Sequence, residues 1–126
     1  MSADAGKDAL AEALRLQREA AGLGFDWRQL DELWDKLDEE VAELKEAATQ
    51  GRIRTQEELG DVLFMAVNLA RHLGVDAEAA LAGTNAKFAR RFEYVCAALE
   101  QLPPIGDPRR LDAMEARWLE AKRREK

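Results

Sequence analysis

Proline is scarce and crowded: Pro103, Pro104 and Pro108 are the only three, and residues 1–102 contain none. A long stretch without proline has no obligatory helix breaker. Isoleucine occurs only at Ile53 and Ile105, so the β-branched enrichment of strands is missing. A single cysteine, Cys96, excludes an intramolecular disulfide framework and suits a reducing compartment. There is no excess of positive charge. The formal net charge is −6, which argues against a general nucleic-acid binder. The longest apolar run covers residues 62–67, far short of the roughly 20 residues that a membrane span needs. The N-terminal stretch MSADAGKDALAEALRLQ has no apolar core, so no signal peptide is read and a cytoplasmic location is expected. What remains is rich in Ala, Leu, Glu, Arg and Lys, the best helix formers. The expectation is an all-α protein whose 126 residues make one domain, 1–126.

Five helices can be placed. The first runs from about Asp4 to Ala21 and ends at the break from Gly22 to Gly24, before the short turn GFDW. The second covers about Arg28 to Thr49. Its apolar residues Leu30, Leu33, Trp34, Leu37, Val41, Leu44 and Ala48 recur at helical spacing and mark a buried face. The third starts near Thr55, with Thr55 as N-cap and Glu58 as its capping-box partner, and ends at His72 before Gly74. It is apolar nearly all round after Asp61 and should be the most buried. The fourth runs from Asp76 as N-cap to about Leu102, with Leu81, Phe88, Phe92, Val95, Leu99 and Leu102 as its core seam. The fifth begins at Asp107–Pro108 and carries Lys122, Arg123 and Arg124 at its C-terminal end, where cations suit the helix dipole.

The second and third helices are joined by a short link, which makes them antiparallel neighbours. Each carries acids at i,i+3 spacing: Glu39, Glu40 and Glu43 on one, and Glu57, Glu58 and Asp61 on the other. Glu40 borders the apolar stripe, Glu43 lies about 60° further round, and Glu39 points elsewhere. Glu58 and Asp61 share a face that continues through Met65, Asn68 and His72. A lone EExxE is usually a solvated helix face. Two such patterns on adjacent helices can converge, and converging like charges need a cation. Oxygen ligands of this kind suit Mg²⁺, which keeps water sites for substrate phosphates. Gly60, inside the third helix, suggests a close approach there by another helix or a ligand.

Lys87 and Arg91 lie one turn apart beside Phe88 and Phe92, and both are suited to clamping phosphates or to surface ion pairs. Trp118 and Lys122 repeat the spacing; an indole with a cation one turn on can stack a base and hold a phosphate, or be a core Trp beside an exposed Lys. Lys36 stands one turn before Glu40, either as a plain ion-pair partner or near a substrate. Cys96 reads as an inert buried thiol, His72 as a helix-end donor, and Trp34 as core. Phe25 and Trp27 either pack the turn or line a pocket.

These blocks in order, GFDW at 24–27, DKLDEEVAEL at 35–44, EELGDVLFMAVNLARHLG at 57–74, NAKFARRFEYV at 85–95 and LDAMEARWLEAKRRE at 111–125, resemble the MazG-type nucleoside triphosphate pyrophosphohydrolases, particularly their C-terminal catalytic domain. The resemblance implies an all-α bundle completed by dimerisation. It implies Mg²⁺, with Mn²⁺ as an alternative, on Glu40, Glu43, Glu58 and Asp61. It implies that Glu39 activates water, with Glu57 and Lys36 in support. Lys87 and Arg91 match phosphate contacts, and Trp118 and Lys122 match functional residues of the last helix, so residues 113–126 are expected to belong to the active site. The implied reaction yields a nucleoside monophosphate and pyrophosphate, as in nucleotide-pool housecleaning. Many family members carry two such domains in tandem, and this sequence has one.

Two alternatives stay open. One is a narrower dUTP, dCTP or phosphoribosyl-ATP pyrophosphohydrolase, and the other is a non-catalytic helical dimer serving as an adaptor. An adaptor could lose its acids, and all six are present here. The expected partners are a nucleoside triphosphate and a second copy of the chain, as a homodimer or dimer of dimers. Neither a nucleic-acid polymer nor a membrane is expected.

Overall fold

The helix-forming composition becomes five α-helices in a computed structural model that describes residues 9–125. These are α1 (Ala9–Gly22), α2 (Leu30–Ala47), α3 (Arg52–His72), α4 (Ala77–Cys96) and α5 (Pro108–Arg124). Among the described residues there is no strand, as the composition leads one to expect. The expected start of the first helix, residues 4–8, lies outside the described residues. No helix among the described residues is long and apolar enough to cross a membrane. The chain divides into two compact units, one ending at Ala80 and one starting at Leu81, with the boundary inside α4.

In the first unit, α2 and α3 pack along one another and α1 packs on α3. The Glu32 carboxylate accepts from the backbone N–H of Arg28 and of Gln29, which satisfies donors at the start of α2. Leu33, fully buried, meets Met65 and Leu69, and Trp27, Leu30 and Leu37 pack against that cluster. The buried stripe of α2 is narrower than its spacing suggests. Trp34 is 44% exposed, and Ala47 rather than Ala48 is buried. Successive residues point about 100° apart on a helix, so covering Leu33 leaves Trp34 at the edge.

α3 begins three residues before the expected Thr55 cap. Gly51 turns the chain with φ +107, a conformation that a side chain resists, and Arg52 enters the helix directly. Thr55 therefore sits inside α3. Its hydroxyl donates back to the Gly51 carbonyl at 2.8 Å, with the Ala47 carbonyl at 3.1 Å. Glu58 is released from capping. α3 contributes four buried residues, Met65, Val67, Asn68 and Leu69, more than any other helix among the described residues. Leu59, Leu63 and Phe64 nevertheless stay largely exposed. The expected close approach at Gly60 is not made by this chain, because a Cβ there would meet nothing within 4 Å.

Asp76 caps α4 as its sequence position suggests, accepting from Glu78 N–H at 3.0 Å and Ala79 N–H at 3.2 Å. The helix stops at Cys96 instead of reaching Leu102. Beyond it the chain runs through a short 3-10 turn, Leu99–Gln101, to Leu102, which precedes a proline and is extended, with ψ 153.

In the second unit, α5 starts as the sequence suggests: the Asp107 carboxylate accepts from Arg109 N–H at 2.9 Å, with Pro108 in the first helical position. Of the expected α4 seam only Val95 is buried. Phe88 and Phe92 stack on each other at 5.5 Å and remain about half exposed, since one neighbouring helix covers only one stripe. The Arg117 guanidinium lies over the Tyr94 ring at 4.3 Å and donates to the Tyr94 carbonyl. Cys96 is half-buried rather than fully enclosed.

Candidate metal and nucleotide site

Register on two adjacent helices brings three acids together. Glu40 on α2 falls at the edge of the stripe facing α3 and is 7% exposed; Glu43 follows one turn later, and Glu58 comes from the first half of α3. One carboxylate oxygen from each lies within 4.8 Å of the others. Three like charges at that separation repel strongly in a partly desolvated place.

The local cations only partly answer them. Lys36 Nζ is 3.3 Å from Glu40 Oε1 and 3.3 Å from Glu39 Oε1. Arg54 Nη2 is 3.5 Å from Glu58 Oε1. The second oxygens, Glu40 Oε2 and Glu58 Oε2, are buried and have no hydrogen-bond partner. A buried carboxylate oxygen without a partner is costly, and a hard divalent cation is the kind of group that would satisfy both. The donor set, all carboxylate oxygen on two rigid helices, fits Mg²⁺ or Mn²⁺.

The other expected site residues are placed as follows. Asp61 is one turn beyond Glu58 on α3. It stands outside the three-carboxylate cluster and shares the lining of an adjacent cavity with Glu40 and Lys36. Glu39 is exposed on the flank of α2, and Glu57 is exposed on α3. Lys36 is held more firmly protonated than an ordinary lysine, first by Glu40 and then by Glu39. In the second unit, Lys87 is exposed on α4. Arg91 is ion-paired to Glu125 at 3.0 Å and lies 5.6 Å from the centroid of the Trp118 ring. Trp118 also meets Phe88 at 5.3 Å, and Lys122 is exposed one turn further along α5.

The cavity beside Glu40 and Asp61 has a volume of about 550 Å³. Both aromatic residues of GFDW line it, with Trp27 also packed on the core and Phe25 84% exposed. Sequence reasoning missed the polar cluster behind it. Arg71 donates to both oxygens of Asp26, at 2.9 and 2.8 Å, and His72 Nε2 is 3.0 Å from Asp26 Oδ1. Arg71 holds the Asp26 carboxyl well below the usual carboxylate range; burial opposes this, and His72 and the Trp27 N–H reinforce it. His72 is thus tied to the turn before α2 rather than serving only its own helix end. Asn68 and Gln17, both buried, complete the cluster. Asn68 carried a signal in its helical register with Glu58 and Asp61, whereas Gln17 carried none.

The sequence profile of the MazG nucleotide pyrophosphohydrolase domain matches residues 28–96, more than half of the chain. The chain belongs to the MazG family. The profile match contains the expected metal ligands of this MazG domain together with Lys87 and Arg91, and it ends before Trp118 and Lys122. A nucleoside triphosphate pyrophosphohydrolase of Escherichia coli K12 is 43% identical over 122 residues, which cover 93% of this chain and 46% of that protein. The nucleoside triphosphate pyrophosphohydrolase/pyrophosphatase MazG of Thermotoga maritima is 37% identical over 114 residues, covering 90% of this chain and 44% of that protein. The uncharacterized protein YabN of Bacillus subtilis is 43% identical over 70 residues, 55% of this chain and 14% of its own. The chain therefore spans about half the length, or less, of these relatives.

Proposed function

We propose that this MazG domain is a Mg²⁺-dependent nucleoside triphosphate pyrophosphohydrolase, releasing a nucleoside monophosphate and pyrophosphate. The observation that carries the reading is the pair of buried, partnerless oxygens on Glu40 and Glu58, set within a three-carboxylate cluster. Glu40, Glu43 and Glu58, with Asp61 beside them, would hold the metal. When bound, the metal supplies Lewis-acid polarisation of the phosphates and a more acidic water. Lys36 holds Glu40 in place through its ion pair. Glu39, exposed beside it, is the general base, with Glu57 in support. Lys87, Arg91, Trp118 and Lys122 are the substrate-binding groups, the three cations countering phosphate charge. The names of the relatives from E. coli and Thermotoga support the choice of nucleoside triphosphate as substrate.

The test has two readouts. Pyrophosphate and monophosphate are quantified from a panel of ribo- and deoxyribonucleoside triphosphates with and without Mg²⁺. Release is expected only with the ion, and it should fall by at least about 100-fold in Glu40→Gln plus Asp61→Asn. Independently, Mg²⁺ alone should raise the melting temperature of the wild type and not that of the double variant. Orthophosphate and a diphosphate as products would sink the assignment of the cleaved bond.

A further inference from the structure

Asn68 is a buried polar group to which the proposed reaction gives no task. It is 5% exposed and lines the same cavity as Glu40 and Asp61. Arg71 Nη2, one turn further along α3, donates to Asn68 Oδ1 at 2.9 Å. A guanidinium has donors only, so the atom that faces it has to be the amide oxygen. The orientation of the amide follows: its NH₂ group is turned away from Arg71. That NH₂ donates to the Met65 sulfur, 3.8 Å away, and a thioether is a weak acceptor.

The polar side chains that Arg71 contacts are already committed to it. Asp26 receives two hydrogen bonds from Arg71, and Gln17 Oε1 faces Arg71 Nε at 3.5 Å. Gln17 spends its own NH₂ on the Phe64 carbonyl at 3.0 Å. Arg71 thus collects the side-chain acceptors of this cluster, and the Asn68 NH₂ is left as a buried donor without a strong partner. A buried donor in that state is costly unless something enters to accept from it. The cavity volume, about 550 Å³, is in the range of small-molecule sites, and Phe25 and Trp27 supply aromatic walls.

We infer that this cavity receives the nucleobase, against Phe25 and Trp27, and that the Asn68 NH₂ donates to a carbonyl oxygen on the base. The enzyme then prefers a base with a keto group to its amino counterpart. The inference rests on the function proposed above, and the base lies next to the metal carboxylates because Glu40 and Asp61 line the same cavity.

The experiment is kcat/KM with Mg²⁺ for two pairs that differ in this group, ITP against ATP and UTP against CTP. The keto member of each pair is expected to be favoured by roughly tenfold, the worth of one buried hydrogen bond. In Asn68→Asp, one oxygen still faces Arg71 and an acceptor replaces the NH₂, so both ratios should fall to near one or invert. Equal wild-type values within both pairs, or ratios unchanged in Asn68→Asp, would overturn the inference while leaving the pyrophosphohydrolase reading intact. Failure to release pyrophosphate from any nucleotide would instead overturn that reading, and this inference with it.

Discussion

Asp26 shows how much one carboxylate can organise. Its oxygens accept two N–H groups of Arg71 and the backbone N–H of Trp27, and one of them also meets His72. These bonds join the turn before α2 to the end of α3 and so position Trp27 against the cavity. Replacing Asp26 with Asn removes the ionic part of a two-pronged pair, with an expected cost of about 1–2 kcal/mol near neutral pH. The sign of the pH effect follows from the lowered pKa. The folded state favours charged Asp26, so the stabilisation is complete above the unfolded value of about 4 and is lost as pH falls toward the lower folded value. Urea titrations should show the gap between wild type and Asp26→Asn shrinking below about pH 4. A gap that persists there would mean the contact is not ionic. The sequence pointed to Glu40, Glu43 and Glu58 because helical spacing alone puts them on facing stripes. It could not point to Asp26 with Arg71, because a turn residue meets a helix 45 positions later only once the chain has folded.

Among the elements, the link between α2 and α3 departs most from its sequence pattern. Thr55 and Glu58 have the spacing of a capping box, yet the helix starts at Arg52 because Gly51 takes up a left-handed turn. Local preference allowed both starts; the early one lets the Thr55 hydroxyl tie back to Gly51 and Ala47 and frees Glu58 for the acidic cluster. Gly51→Ala should therefore cost about 1–2 kcal/mol in urea unfolding, since a Cβ is strained at this φ. A helix beginning at Thr55 would leave Gly51 in an ordinary loop, and a neutral substitution would favour that start. The end of α4 was not legible in this way, because Pro103 constrains Leu102 while the helix already stops at Cys96.

For the molecule as a whole, the largest unspent quantity is apolar surface. Leu63 is 58% exposed and Phe64 40% on the helix that the sequence marks as the most apolar. Exposed apolar clusters of this kind commonly mark an association surface. We expect sedimentation at micromolar concentration to find at least a dimer, and Leu63→Glu to shift it toward monomer by placing a charge on this apolar surface. A wild-type monomer under those conditions would refute this. A net charge of −6 is not spread evenly, because three of the acids crowd within one cation-sized space.

By itself the sequence determined the helical class, the caps at Asp76 and Asp107, and the two acidic patterns. All of these depend on neighbours within one or two turns. Only the tertiary structure decided which oxygens are buried without partners, that Asp26 meets Arg71, and that Trp34 is an edge residue while Leu33 is the centre of the core. Those outcomes depend on groups far apart in the chain, and burial acquires meaning only when packing removes water from between them.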